Sequence, residues 1–384
     1  MKIILISYYF DEDASGIISG RVARELVRQG VEVHVVTSNL IDTHKSRPFQ
    51  IHHVPDFFHD RNLFIRTWKI VLNLFGIGTF QQHLIWRKKA AACILKLLKR
   101  EHFDWLYCRS TPFDANHVGY IVSKNSNVKV LQHFTDPYPP EGDFLQKNVS
   151  RDKLIRKAKT IIQAADLVSF GNEAMMNYEK KETNVDFSRK CFVSNDIASS
   201  CTIKFVPPKE SPQYRIVYLG TLYPPRNPNP LVNAISELYK RNLIFRIYSA
   251  KPVISSLIEP FVQYMGRTSD ILLALSDADI LVDIDGDSEN PVYISSKLKD
   301  YLLINRPILS ITPRNSPSAK ILSNLRTVRV VENKKDQILD ALNYLTTAHF
   351  RDDDYYERTP VIQLFSPEKV VKEIVDKMIQ YIKI

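Results

Sequence analysis

Ser295, Ser296 and Lys297 stand directly before a helix-forming run, Leu298-Lys299-Asp300-Tyr301-Leu302-Leu303, which Asn305-Arg306-Pro307 interrupts ahead of the strand-like Ile308-Leu309. Hydroxyls and a lysine at a helix start suit an anion, because the first backbone N–H groups lack partners and the positive dipole end faces outward. A diphosphate fits that description. Asp300, one turn in, is placed to accept hydrogen bonds from ribose hydroxyls. Asn305 falls where the helix has to stop, and the left-handed conformation that Asn tolerates is the expectation there.

Three other stretches carry groups capable of chemistry. Leu219-Gly220-Thr221 turns out of an apolar strand and leads to Arg226, whose guanidinium can clamp a diphosphate through two parallel hydrogen bonds or simply be a surface residue in a Pro-rich loop. Val128 to Phe134 is an apolar strand carrying His133, with Asp136-Pro137 following it. These read either as catalytic groups or as a hydrogen-bonded strand-end histidine and a turn-starting aspartate. Asp283, Asp285, Asp287 and Glu289 suggest a cation site, but the spacing fails the calcium-loop pattern, and the run reads as a ligand-facing loop without metal.

These groups all sit where apolar strands run into polar loops. Ile3 to Tyr8, a loop to Gly16 and a helix from Ile17 to Arg28 open one strand-and-helix series; Arg215 to Leu219, with a helix from Pro230 to Tyr239, opens a second. Near-continuous apolar strands alternating with helices predict parallel sheets covered on both faces, an α/β architecture of two Rossmann-like doubly wound domains. Such sheets bind ligands beyond the carboxyl ends of their strands, so the site is expected in a cleft between the two. The division is expected at residues 1–203 and 204–362, with the proline-bearing stretch around Pro207 and Pro212 as linker and a last helix in 363–384 capped by Ser366.

Composition narrows the class. The chain has 384 residues, 44% hydrophobic and 24% charged, which suits two soluble globular domains. Its four cysteines lack metal-ligand or disulfide spacing, and no apolar run reaches the length of a membrane span. A cytoplasmic location follows as the expectation. The net charge is +10, and residues 61–100 alone hold nine Lys and Arg and no acid, interleaved with Phe64, Trp68 and Trp86. That mixture suits an anionic membrane surface, and equally two helices with solvated basic faces and buried aromatics. No nucleic-acid-binding motif accompanies it.

Ser296-Lys297-Leu298-Lys299-Asp300-Tyr301-Leu302 followed by Arg306-Pro307-Ile308-Leu309 resembles the "Ser-Lys-x-x-Glu-Tyr-Leu-x-x-Gly-Lys/Arg-Pro-Ile-Leu" signature of retaining GT-B glycosyltransferases, of the family 4 type that builds bacterial surface polysaccharide. Gly220-Thr221-Leu222 with Arg226 is similar to that family's second-domain opening, and Gly16 with Arg21 to Thr37 to its first loop and helix. Ala165-Asp166-Leu167-Val168 and Val193-Ser194-Asn195-Asp196 resemble weaker joins, and His133 to Tyr138 resembles "Asp-Phe-Arg-Asp-Pro-Trp", with His133, Thr135 and Tyr138 replacing its first Asp, its Arg and its Trp and with Asp136 and Pro137 retained.

The resemblance implies transfer of a sugar from a nucleotide diphosphate donor to a sugar or lipid-linked acceptor, metal-independent and without cofactor beyond the nucleotide sugar as co-substrate. It places Gly16, Gly220, Thr221, Arg226, Ser296, Lys297 and Asp300 at the donor, and Asp136 and His133 in catalysis. It also implies that the last helix crosses back to the first domain. Val292 stands where many relatives have a sugar-contacting Glu, and Thr135 where the pattern has Arg, so a sugar-nucleotide epimerase of the same architecture and a noncatalytic partner protein remain as alternatives.

Overall fold

The computed structural model describes residues 1–12, 14–39, 47–56, 83–140, 150–207, 211–222, 226–238, 242–249, 259–268 and 271–382. Among these, strands β1 (Lys2–Ile6), β2 (Glu32–Thr37), β3 (Gln50–His53), β4 (Trp105–Arg109), β5 (Lys129–Phe134), β6 (Leu167–Phe170) and β7 (Cys191–Val193) form one sheet, ordered β3-β2-β1-β4-β5-β6-β7. A second sheet contains β8 (Tyr214–Leu219), β9 (Leu243–Tyr248), β10 (Val262–Gly266), β11 (Ile280–Ile284), β12 (Ile308–Ile311) and β13 (Val328–Val331), ordered β10-β9-β8-β11-β12-β13. Both sheets are parallel.

Helices cover both faces of each sheet, as strand alternation requires. In the first, Ile3, Leu5, Val33, Val35, Trp105 and Tyr107 pack against α1 (Ala14–Arg28) and the closing helix α13 (Pro367–Ile382). Their neighbours Ile4, Ile6, Val36, Leu106 and Cys108 pack against α2 (Leu84–Arg100) and α3 (Asp114–Ser123). The helices α4 (Arg151–Ala164) and α5 (Glu173–Thr183) complete that unit. In the second, Ile216, Tyr218, Phe245 and Val282 meet α6 (Asn229–Leu238) and α10 (Lys335–Thr347). Val217, Leu281 and Ile308 meet α8 (Ser296–Tyr301) and α9 (Pro317–Leu322), with α7 (Ile271–Ser276), α11 (Asp352–Tyr356) and α12 (Thr359–Gln363) in the same unit. Each fully buried large aliphatic side chain stabilises by about 1.5–3 kcal/mol, so the two-sided cover is the main source of stability. Among the described residues no helix is long and apolar enough to cross a membrane.

Some local expectations are corrected. The first helix begins at Ala14, so Gly16 and Gly20 lie inside it. A Cβ at Gly16 would stand 3.0 Å from the Tyr9 carbonyl carbon, so the glycine lets the loop after β1 pass close over the helix. Asn305 is not left-handed; among the described residues the non-glycines with positive φ are Asp11, Asn184 and Asn242. Instead the Asn305 side chain accepts from the backbone N–H of Val206 at 2.8 Å, tying that stretch to the end of α8. Of residues 61–100, only those from His83 onward are described; Arg61, Arg66, Lys69, Phe64 and Trp68 lie outside the described residues. Within α2, Trp86 is fully buried and Arg87 is buried in an ion pair with Asp114, so neither belongs to an exposed basic face.

Glu179 on α5 is fully buried, accepts from the Tyr138 backbone N–H, and has no partner for Oε2 among the described residues. Burial therefore pushes its carboxyl well above the ordinary value of 4.5. The folded chain keeps this proton to higher pH than the unfolded chain, so stability is lost as pH rises above 4.5. Glu179→Gln keeps an acceptor for Tyr138 and cannot ionise. Chemical denaturation should show the variant more stable than the natural chain at about pH 8, with the gap closing toward about pH 5; a gap that does not change with pH contradicts this.

Candidate functional site

In the second sheet the strand order reverses between β8 and β11, so the loops leaving those two strands run to opposite sides and open a crevice at their carboxyl ends. Gly220 follows β8 with φ +127°, a backbone that L side chains rarely adopt. A Cβ there would stand 3.1 Å from Lys297 Cδ. Glycine thus serves twice, allowing the turn and leaving room for the lysine that α8 sends over it. Lys297 Nζ lies 5.0 Å from the centre of the Tyr218 ring, within cation–π range.

Tyr218 gathers the other cation as well. Its hydroxyl donates to the Thr221 carbonyl at 3.3 Å, leaving oxygen lone pairs that the Arg226 side chain engages. The turn itself is pinned by Tyr301 of α8, whose hydroxyl accepts from the Leu219 backbone N–H at 2.9 Å. The structure therefore brings Gly220, Thr221, Arg226 and Lys297 together. Ser296 opens α8, which spans only six residues, and its N-cap Ser295 makes no side-chain cap, so the two side-chain cations rather than the helix dipole dominate the local field. Asp300 accepts from the Ser199 backbone N–H at 3.0 Å.

Asp285 faces these cations, and Asp283 lies beside it. Asp285, just past β11, accepts from the Thr312 hydroxyl at 2.9 Å and the Ser318 hydroxyl at 3.4 Å. Burial and the neighbouring charge of Asp283 push it up to about 7, against the pull of Arg226, Thr312 and Lys297. Asp283 is fully buried and neither oxygen has a hydrogen-bond partner among the described residues. A small pocket lined by Arg226, Asp285, Gly286, Ser288, Pro291 and Tyr293 opens beside them. The acidic run is split, because Asp287 and Glu289 are exposed while the first two acids are buried, and it does not close into a ring of ligands. Val292 is buried at 3% exposure, and its side chain has no polar atom to contact a sugar.

The first sheet reverses between β1 and β4. There Ser15 of α1 donates to the Thr111 carbonyl at 2.8 Å, and the Thr111 hydroxyl donates to the Asp136 carboxylate. Asp136 is half-buried at the carboxyl end of β5. His133 is fully buried; its Nδ1 pairs with the Ser169 hydroxyl at 2.8 Å and its Nε2 lies 3.7 Å from Asp196. Asp196 also takes Arg109 Nη2 at 2.9 Å, and Arg109 Nη1 donates to the Tyr107 hydroxyl at 2.7 Å. Sequence reasoning missed Arg109 and Tyr218. The signal for Arg109 was present, since it is a charged residue ending an apolar strand, the same feature that singled out His133.

Gly220→Ala combines a strained backbone with a contact on Lys297 and should destabilise the second unit by about 1–3 kcal/mol. Urea denaturation checks it, and an unshifted midpoint contradicts the double role assigned to this glycine.

No family model and no curated protein sequence matches the chain. Solved structures do. Sucrose-phosphate synthase from Thermosynechococcus elongatus superposes with a TM-score of 0.74 at 13% identity, covering 100% of this chain and 99% of that one. A glycosyltransferase from Rickettsia africae gives 0.68 at 14%, covering 100% and 98%. The Escherichia coli trehalose-6-phosphate structure bound with UDP-2-fluoro glucose gives 0.66 at 12%, covering 98% and 99%. At such identities the likeness is one of fold, and the two parallel-sheet α/β units of this chain match the architecture of GT-B glycosyltransferases.

Proposed function

We propose that the chain transfers a sugar from a nucleotide diphosphate donor to an acceptor hydroxyl, with retention at the anomeric carbon, in the making of a surface polysaccharide or glycolipid. The observation that carries the reading is the convergence of Arg226 and Lys297 on Tyr218 at the switch point of the second sheet. Two cations fixed on one aromatic residue, beside a turn with no side chain, suit a diphosphate. A fold neighbour bound to UDP-2-fluoro glucose supports a nucleotide sugar as the donor class.

As the glycosidic bond to phosphate breaks, negative charge grows on the diphosphate, and Arg226 and Lys297 stabilise it without a metal. Asp285 offsets the charge of both cations before the donor arrives. Asp300 accepts from ribose hydroxyls with the carboxylate that also receives Ser199, and Ser296 and Thr221 border the phosphates. Asp136 serves the reacting sugar. His133, being buried, acts on orientation through Ser169 and Asp196, and the departing phosphate takes the acceptor's proton.

Replacing Arg226 or Lys297 by Ala removes a hydrogen bond to a charged group and should weaken nucleoside diphosphate binding by about 1.5–3 kcal/mol, roughly ten- to hundredfold in Kd. Calorimetry on both variants checks this. Unchanged affinity in both removes the diphosphate assignment.

The same proposal places the protein at the cytoplasmic face of a membrane, where a lipid-linked acceptor is found. The opening of α2 exposes Leu84 and Ile85, at 45% and 54%, next to exposed Lys88 and Lys89. Each lysine near anionic lipid contributes about 1 kcal/mol, screened as salt rises. Sedimentation with anionic vesicles at low salt should fall when Lys88 and Lys89 become Glu, Arg87 being left intact for Asp114. Equal partitioning of the double variant contradicts docking through this turn.

A further inference from the structure

At the opposite, amino-terminal edge of the first sheet, Glu32 and His34 of β2 meet Glu101, the residue that ends α2. One ligand atom from each lies within 4.8 Å of the others. Lys2 Nζ stands among them, 2.6 Å from Glu32 and 2.6 Å from Glu101. His34 is only 1% exposed, and its Nε2 is buried without a hydrogen-bond partner, 3.5 Å from Glu32 Oε1. Its Nδ1 lies 3.0 Å from His52 Nε2, with the two rings stacked. When Nδ1–H donates to His52, Nε2 presents a lone pair toward two carboxylates. Three acceptors converging on one point call for a cation.

We propose that Glu32, His34 and Glu101 bind one divalent transition-metal ion, Zn2+ fitting the donor set best, in the position that the Lys2 ammonium holds until the ion displaces it. The imidazole nitrogen moves the preference away from the oxygen-seeking Mg2+ and Ca2+, and three protein ligands leave a fourth tetrahedral position for water. The other ring nitrogen of His34 is already oriented by His52, the arrangement that fixes tautomer and ring in histidine metal sites. Lys2 is a displaceable occupant, because Glu32 and Glu101 are 57% and 37% exposed and ion pairs that open to water are weak. The ion would join the start of β2 to the end of α2, at the strand edge opposite Gly16 and Asp136, and so act on stability and not on transfer.

Calorimetric titration of the full chain with Zn2+ alone, and the visible spectrum with Co2+, test this. The expected result is one equivalent bound, Co2+ bands of tetrahedral intensity, affinity lowered at least about tenfold by Glu101→Gln and by His34→Gln, and raised by Lys2→Met. Glu101→Gln changes a partly exposed side chain and decides the matter if His34→Gln fails to fold. No binding by the natural chain overturns the proposal, as does binding by Lys2→Met alone, which makes Lys2 the permanent cation. Binding unchanged in Glu101→Gln also overturns it, placing the ion elsewhere, for instance on the exposed Cys201.

Discussion

A parallel sheet covered by helices on both faces leaves no solvent for polar side chains except at the ends of its strands, and that constraint governs where chemistry can reside in this protein. Both sheets obey it. In the central strands β1, β8 and β11 the middle residues are apolar and buried, while ionisable groups lie near the strand ends: Arg226 and Lys297 past β8 and β11, Asp136 past β5, and Lys2, Glu32 and Glu101 at the opposite edge. The reversal of strand order then selects, among the carboxyl-terminal ends, the place where neighbouring loops diverge.

Charge balance shapes the second-sheet crevice. Two cations alone would repel each other, and Asp285 beside them offsets that repulsion. Tyr218 is their shared support, its ring under Lys297 and its hydroxyl under Arg226. In the proposed reaction the incoming diphosphate takes over the role of Asp285. The high proton affinity of Asp285 follows from the same burial and crowding, so the acid that is left without a cation can become neutral at little cost.

Much of this architecture was legible because its signals are local. The strands expected at Val128 to Phe134 and Arg215 to Leu219 fall within one residue of β5 and β8. Edge strands were less legible: Gln50–His53 and Val262–Gly266 carry polar or exposed residues and pair on one side only, so no apolar run marks them. Long-range partners were not legible at all. Arg87 reads as one more surface cation until Asp114, distant in sequence, takes it into the core. Tyr218 reads as a core residue, which it is, but its polar tip and ring face are used by residues from two other loops. Glu32, His34 and Glu101 meet only through strand register and the length of α2.

The account's central claim is that Arg226 and Lys297, fixed on Tyr218, form the diphosphate site. A crystal structure of the chain with a bound nucleoside diphosphate sugar tests it most directly. The account predicts phosphate oxygens within hydrogen-bond reach of both side chains, with the ribose toward Asp300. A nucleotide seated elsewhere, with Arg226 and Lys297 still on Tyr218 and their acids, would contradict it.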